Sequence, residues 1–413
     1  MTTTAQPALA RRLGLGDAVM IGVGSMVGAG VFAAFGPAAA AAGNLLLVSL
    51  GIAAIVAFCN ATSSAQLAAR YPTSGGTYFH GRAELGEWPG FLAGWCFVIG
   101  KTASCAAMAL TVAAYLVPST WQHPVAVAAV LALAAVNAFG VTRTARLAKI
   151  LAGIVLAVLT VFAVTAWAAD APSPTGTSTS AGPVGVLQAA GLLFFAFAGY
   201  ARIATMGEEV VEPRRTIPRA ITVALGIALV TYLVVALTLL HVLPVDEIAG
   251  STAPVADAAA ALEGRSWLGV VVRFGAVCAA LGSLLSLIAG VGRTSLAMAR
   301  EGDLPAPLAR VDERYRVPRT AEAVLAVVVS ALVLVVDLQG VIGFSSFGVL
   351  LYYFVANASA WHQSEGRMYP RALQGLGMVL CAVLVVTLPW QSVAVGLVVL
   401  AVGVAGRVIA RRV

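Results

Sequence analysis

Charge is what this sequence is short of. Only 10% of its 413 residues are Asp, Glu, Lys or Arg, against about 25% in an ordinary soluble domain. With 60% of the residues hydrophobic, the shortage excludes a chain folded in water behind a charged surface. Histidine and cysteine are scarce too. His80, His123, His241 and His362 fall singly at helix ends or in loops, and Cys59, Cys96, Cys105, Cys278 and Cys381 fall inside apolar segments. No spacing among them matches a metal or redox site. The cysteines therefore read as small packing residues and the histidines as polar groups near an interface, and no metal or cofactor is expected. Nucleophile–base spacings and phosphate-cradling loops are missing as well, which argues against an enzyme. Gly22-x-Gly24 with Gly28 has no strand before it, so it lacks the βαβ context of a dinucleotide fingerprint.

What the sequence has is apolar runs of spanning length. A membrane helix needs about 20 apolar residues, and such runs cover 15–41, 44–69, 88–117, 124–141, 147–169, 184–209, 218–243, 266–298, 320–337, 340–361, 372–388 and 391–409. The expected fold is an all-α integral membrane protein of about twelve transmembrane helices. The net charge of +7 does not point to nucleic acid, because its distribution has a simpler cause. On this helix count the basic residues, from Arg11 and Arg12 through to Arg411 and Arg412, fall on one side, and the opposite loops hold Arg265. Lys and Arg concentrate in cytoplasmic loops, so both termini are expected in the cytoplasm, with the chain in an inner or plasma membrane. The start, MTTTAQPALARR, reads as part of the mature chain, since the apolar run after it continues to spanning length with no short core and cleavage site.

Two of the runs are interrupted. Ile21–Phe32, IGVGSMVGAGVF, carries four glycines, each costly in a helix interior, and Phe194–Ala201, FFAFAGYA, carries the second break roughly 170 residues later. The second break comes five helices after the first, so the second half is expected upside down relative to the first, giving a five-plus-five inverted repeat with helices one and six broken. The repeats are 15–169 and 184–361, and 372–409 supplies two peripheral helices. Breaks at matching places mark a transport site near the bilayer midplane. Unwinding frees amides at the start of one half-helix and carbonyls at the end of another. The amides near Ala29 and Gly30 suit a carboxylate, the carbonyls of Phe195, Ala196 and Ala198 suit an ammonium, and the pair suits the backbone end of a free amino acid. Gly30 is expected to leave room for that backbone, so that Gly30→Leu blocks binding in a protein that still folds. Gly24-x-x-x-Gly28 also fits a plain helix-packing face. Among the loops, 71–86 is long and polar, 170–183 is a flexible linker, and 244–265 has an apolar pattern consistent with a short helix over the site.

GSMVGAGVF (24–32), YPTSGGTYFHGRAELGEWPGFLAGW (71–95), FFAFAGY followed by GEEVVEPRRTIPRAI (194–221) and GRTSLAMAREGDLP (292–305) together resemble the amino acid–polyamine–organocation transporters. The resemblance covers nearly the whole chain. It implies a ten-helix inverted-repeat core, alternating access, and substrate held between spans one and six with spans three, eight and ten around its side chain. By motif, the backbone contacts fall at Met26, Ala29 and Gly30 and at Phe195, Ala196 and Ala198, with Gly28, Phe197 and Gly199 completing the set. Phe195 stands where the family has an aromatic gate. The sequence departs from the pattern at Val155, which aligns with the fifth-helix lysine of proton-coupled relatives, and at Ala201, where several relatives carry an acid. The eighth helix offers Ser283 and Ser286 but no adjacent hydroxyl pair, so sodium is the less expected ion.

Charges inside spans are expensive and functional by default. Lys101 lies near the middle of span three and is expected to replace the missing coupling charge, carrying a proton; the alternative is a structural lysine held by carbonyls or water. Arg293 reads as structural. Glu208 and Glu209 are expected to pair with Arg202 or loop arginines, and Arg11 or Arg12 to bridge to Glu301 or Asp303 as an inner gate. No acid lies at mid-depth in spans one, three, six, eight or ten, which disfavours polyamines and cationic side chains and leaves neutral amino acids as the expected substrates. Span ten is expected to contribute Phe344, Ser345, Ser346 and Phe347 to the lining. A related exchanger of polyamines or of cationic or acidic amino acids, a channel, and a non-transporting sensor are the other readings.

Overall fold

A computed structural model describes residues 13–72, 75–139, 144–169, 181–207, 209–312, 314–315 and 317–411. The first apolar run is three helices, α1 (Leu15–Met26), α2 (Ala29–Ala33) and α3 (Phe35–Ala42). Pro37 accounts for the second interruption, since it has no N–H to offer Ala33 four residues back. There follow α4 (Leu46–Arg70), the short α5 (Gly76–Leu85), α6 (Glu87–Leu116), α7 (Gln122–Ala138) and α8 (Thr144–Trp167). The sixth run is α9 (Pro183–Phe197), a 3-10 turn over Ala198–Tyr200, and α10 (Ala201–Ala204). Next come α11 (Pro213–Val242), then α12 (Val245–Gly250) and α13 (Pro254–Ala261) in the 244–265 segment, where a short helix was expected. The chain ends with α14 (Ser266–Arg300), α15 (Arg319–Val335), α16 (Leu338–His362), α17 (Arg371–Thr387) and α18 (Trp390–Ala410).

Among the described residues, ten helical segments are long and apolar enough to cross a membrane. The other two of the expected twelve, α15 and α17, are helical but have 17 residues each, about 25 Å of helix against a hydrocarbon core of about 30 Å. No strand is present among the described residues. The one isolated bridge pairs Leu13 with Val210, with Leu13 N–H donating to Glu209 O at 3.0 Å and Val211 N–H to Leu13 O at 2.9 Å. It ties the starts of α1 and the segment after α10 together. Lys149 of α8 fixes α1 from the other side through Asp17, 2.5 Å away.

α6 is the buried axis of the bundle, whereas α7 and α18 are largely exposed. Small residues permit the central position, as membrane helices gain little from apolar burial and rely on close backbone approach. At Gly348 of α16 a Cβ would lie 2.7 Å from Cys96 O and 2.8 Å from Gly100 Cα, so only glycine lets α16 touch α6 there. A buried polar ladder joins α4, α16 and α17. Ser63 Oγ donates to Asn357 Oδ1 at 2.6 Å, Asn357 Nδ2 to Asn60 Oδ1 at 2.6 Å, and Gln66 Nε2 to Gln363 Oε1 at 3.0 Å. Four cysteines are buried and Cys278 is half-buried, all as free thiols. Cys381 also joins the ladder, 3.4 Å from Asn60 Oδ1.

Candidate functional site

The first break is narrow. α1 stops at Met26, Val27 has φ −77° and ψ 26°, and Gly28 has φ −74° and ψ −140° before α2 begins. Neither residue needs a left-handed backbone, so the glycines of this run serve close approach. Gly22 faces Ile203 of α10 and Gly24 faces Ala152 of α8. A Cβ on Gly28 would overlap the Ser283 hydroxyl of α14, and one on Gly30 would lie 2.6 Å from Ala196 Cα in α9. Gly30 therefore presents its bare side to a helix backbone. Room for a ligand is not what it provides here, which corrects the expectation for Gly30→Leu.

The second break is shorter than 194–201. Phe194, Phe195, Ala196 and Phe197 remain in α9, and the irregular residues are Ala198, Gly199 and Tyr200. Of the three carbonyls expected to be free, that of Phe195 accepts the Ala198 N–H that caps the helix. Ala196 O and Ala198 O point to side chains from other helices. The breaks meet backbone to backbone, since a Cβ on Gly199 would lie 2.6 Å from Met26 N.

Two side chains tie this junction. Tyr232, from the middle of α11, places its hydroxyl 2.6 Å from Met26 O and 2.8 Å from Ala196 O, donating its one proton between the ends of α1 and α9. Lys101, 7% exposed, donates from Nζ to Ala198 O at 3.2 Å. Tyr353 OH lies 3.5 Å from the same oxygen. The lysine singled out by its depth in a span thus sits at the second break, in contact with a carbonyl. Tyr232 was missed, because a tyrosine in an apolar span carries no signal of its partner.

Aromatic rings close around the turn. Phe197 meets Tyr232 edge-on at 4.8 Å between centroids, and Phe194 meets Tyr353 at 5.7 Å. Phe195 is buried beside them. From α16, Ser345 reaches Ser104 of α6, one turn beyond Lys101, with 2.7 Å between hydroxyls. Its neighbours differ from expectation: Phe344 lines an apolar groove, and Phe347 packs against Gly396 of α18. Residues two apart on a helix face different sides, so one tetrapeptide cannot all line one site. Ser346 is buried with no hydrogen-bond partner among the described residues.

Of the charges expected at an inner gate, Glu301 and Asp303 are described. Arg11, Arg12 and Glu208 lie outside the described residues. Asp303, after α14, is fully buried and forms ion pairs with Arg82 at 3.0 Å and Arg407 at 2.9 Å, and Tyr78 OH donates to it at 2.8 Å. Glu301 pairs with Arg82 at 3.2 Å. The Arg407 guanidinium stacks against Trp88 at 4.4 Å and Phe91 at 4.6 Å, so α18 locks onto the start of α6. Arg407 had read as one more surface charge. His80 also differs from an interfacial histidine: it is buried in α5, with Nε2 3.4 Å from Tyr71 O. Burial pushes its pKa down from 6.5 to about 4. Among the described residues the buried acids are Asp303 and Glu322, the latter in the first turn of α15, and neither adjoins the breaks.

The family model for amino acid permeases matches residues 13–407. An uncharacterized transporter of Mycobacterium tuberculosis is 56% identical over 411 residues, which cover 98% of this chain and 93% of the relative. The branched-chain amino acid permease BcaP of Bacillus subtilis is 26% identical over 433 residues, 97% of this chain and 93% of its own. Cationic amino acid transporter 4 of Homo sapiens is 30% identical over 388 residues, 86% of this chain and 60% of its own. A match across nearly the whole chain, on a bundle of apolar helices with two interrupted segments in contact, places this protein in the amino acid permease family of multi-pass membrane transporters.

Proposed function

We propose that this transporter carries neutral amino acids by alternating access, with a proton on Lys101 as the coupled ion. The observation that carries the reading is the Lys101 ammonium on Ala198 O, at the junction of two interrupted helices. Tyr232 OH and Lys101 Nζ give Ala196 O and Ala198 O the donors that a substrate ammonium would give them. A substrate amino group taking Ala198 O leaves the lysine without its acceptor and beside a second cation. A low-dielectric site makes that repulsion costly, and proton release once the occluded site opens to the cytoplasm relieves it, so that proton and substrate move inward together. The substrate carboxylate goes to the amides at Ala29 and Gly30, within the set formed by Met26, Gly28, Phe195, Phe197 and Gly199. Because backbone meets backbone across the breaks, entry requires α1–α2 and α9–α10 to part, which is the movement alternating access supplies. The repeats assigned to it are 15–169 and 184–361, with α17 and α18 outside them.

The substrate class follows from the buried acids. A cationic side chain in a dry site needs a carboxylate, and those buried here lie at helix ends away from the breaks. The similarity to the human cationic amino acid transporter 4 favours cationic substrates as the second reading. The end rich in arginine, which holds Arg82, Arg300, Arg310 and Arg407, faces the cytoplasm by the positive-inside rule. The test is a thermal-shift panel of neutral, cationic and acidic amino acids on the purified protein. A ligand at 100 times its Kd stabilises the folded state by about 2.7 kcal/mol. Neutral amino acids are expected to raise the melting temperature; a rise with arginine or lysine alone overturns the neutral assignment.

A further inference from the structure

A groove of about 460 Å³ lies on the flank of the bundle, walled by α6, α14, α15, α16 and α18. It is separate from the junction of the breaks. α6 turns Ile99, Thr102 and Ala103 to the groove, while Lys101 and Ser104 engage the breaks and Ser345. Its walls are mostly apolar, with Val328, Leu332 and Val336 of α15 and its end, Phe344 of α16 and Val395 of α18, and Thr102 and Ser295 add hydroxyls. The Thr102 hydroxyl is already spent on Val98 O, at 2.7 Å. Val324, Val328 and Val395 are 49%, 44% and 52% exposed, so the groove opens sideways, where the surrounding solvent is hydrocarbon.

Its shape and its ends define the occupant. From Ala321 to Val336 the groove follows α15 for roughly 22 Å at 1.5 Å per residue. That length covers most of a hydrocarbon core about 30 Å thick, so one extended acyl chain running with the bilayer normal fits along it. Leu304 and Leu308 close the groove at the end rich in arginine. Arg300 and Arg310 flank those leucines in sequence, are exposed, and make no ion pair among the described residues. The other end carries Gln391 and Ser392, which are uncharged. One end therefore offers cations to a phosphate at headgroup depth and the middle offers a slot for a chain.

We propose that this groove binds an anionic phospholipid, with one acyl chain between α15 and α18 and its phosphate at Arg300 and Arg310. Tight binding follows from chemistry that neither part provides alone. Apolar walls would take a chain from any lipid, and exposed arginines would attract any anion within a Debye length. The chain also backs the stretch of α6 that carries Lys101, so it steadies the wall of the transport site from behind.

The protein is reconstituted in vesicles of mixed phosphatidylglycerol and phosphatidylcholine, re-extracted in mild detergent and weighed by native mass spectrometry. One retained phosphatidylglycerol per protein is expected, in preference to phosphatidylcholine. Val328→Trp with Val395→Phe fills the slot and is expected to abolish retention, whereas Val327→Trp, 68% exposed and outside the lining, is expected to keep it. Arg300→Gln with Arg310→Gln is expected to remove the preference for phosphatidylglycerol. Melting temperatures of all variants report folding. Retention unchanged in the slot-filling variant, equal retention of both lipids by the unaltered protein, or no retained lipid overturns the proposal.

Discussion

Replacing Tyr232 by phenylalanine removes a single oxygen from the place where the two interrupted helices are tied. The residue is 1% exposed, and its hydroxyl lies 2.6 Å from Met26 O and 2.8 Å from Ala196 O. Met26 ends α1 and Ala196 is next to last in α9, where carbonyls run out of successor amides. Two estimates bear on the cost. A buried acceptor left unpaired costs about 1–3 kcal/mol, while side-chain hydrogen bonds in membrane proteins average about 0.6 and reach about 1.7 kcal/mol because other partners turn up. Here the ring still fills the space around both carbonyls, which keeps water out, so the upper part of the membrane range applies, about 1–2 kcal/mol. Unfolding of the purified variant is expected to show that loss. A second readout separates a local tie from general damage. If a substrate amino group competes for Ala196 O, removing the hydroxyl raises substrate affinity, about 5- to 30-fold for 1–2 kcal/mol. Unchanged stability together with unchanged affinity would refute the assignment of Tyr232 as the donor to both breaks.

Gly30→Leu is expected to lose folded protein, because its Cβ meets Ala196 Cα at 2.6 Å, whereas Gly51→Leu, with nothing within 4 Å, keeps it; size-exclusion profiles distinguish them. His80 makes stability depend on pH with a definite sign. Its folded pKa of about 4 lies below the usual 6.5, so its contribution is complete above about 6.5 and is lost as pH falls toward 4, by about 3 kcal/mol in all. His80→Asn is expected to flatten the melting temperature between those pH values. Arg407→Met leaves the buried Asp303 carboxylate with Arg82 and Tyr78, so it is expected to cost about 1–3 kcal/mol, the range for one buried partner lost, in the same melting assay.

Much of the bundle was legible because membrane helices announce themselves by length: the expected and observed ends of α4 and α6 differ by two residues or fewer at each end. α15 and α17 are shorter than the other expected spans, at 17 residues each, a difference hydropathy misses because it registers apolar content more than the last turn. Lys101 stood out for a related reason, since an ammonium at mid-span is costly, and its contact with Ala198 O is a matter of position. What stayed hidden depends on pairs far apart in sequence. Tyr232 meets Met26 and Ala196 only through the packing of α11, and Arg407 meets Asp303 only because α18 folds back on α6. The glycines of Ile21–Phe32 signalled both a break and close packing, and the structure contains both: the break at Val27 and Gly28, the packing at all four glycines.

The central claim is that Lys101, on its carbonyl in the second break, carries the coupled proton. It is tested most directly by uptake of a labelled neutral amino acid into proteoliposomes, with and without an inward proton gradient, for the unaltered protein and for Lys101→Gln. The account predicts that the gradient accelerates uptake by the unaltered protein and leaves Lys101→Gln at its gradient-free rate. Equal acceleration of both would contradict it.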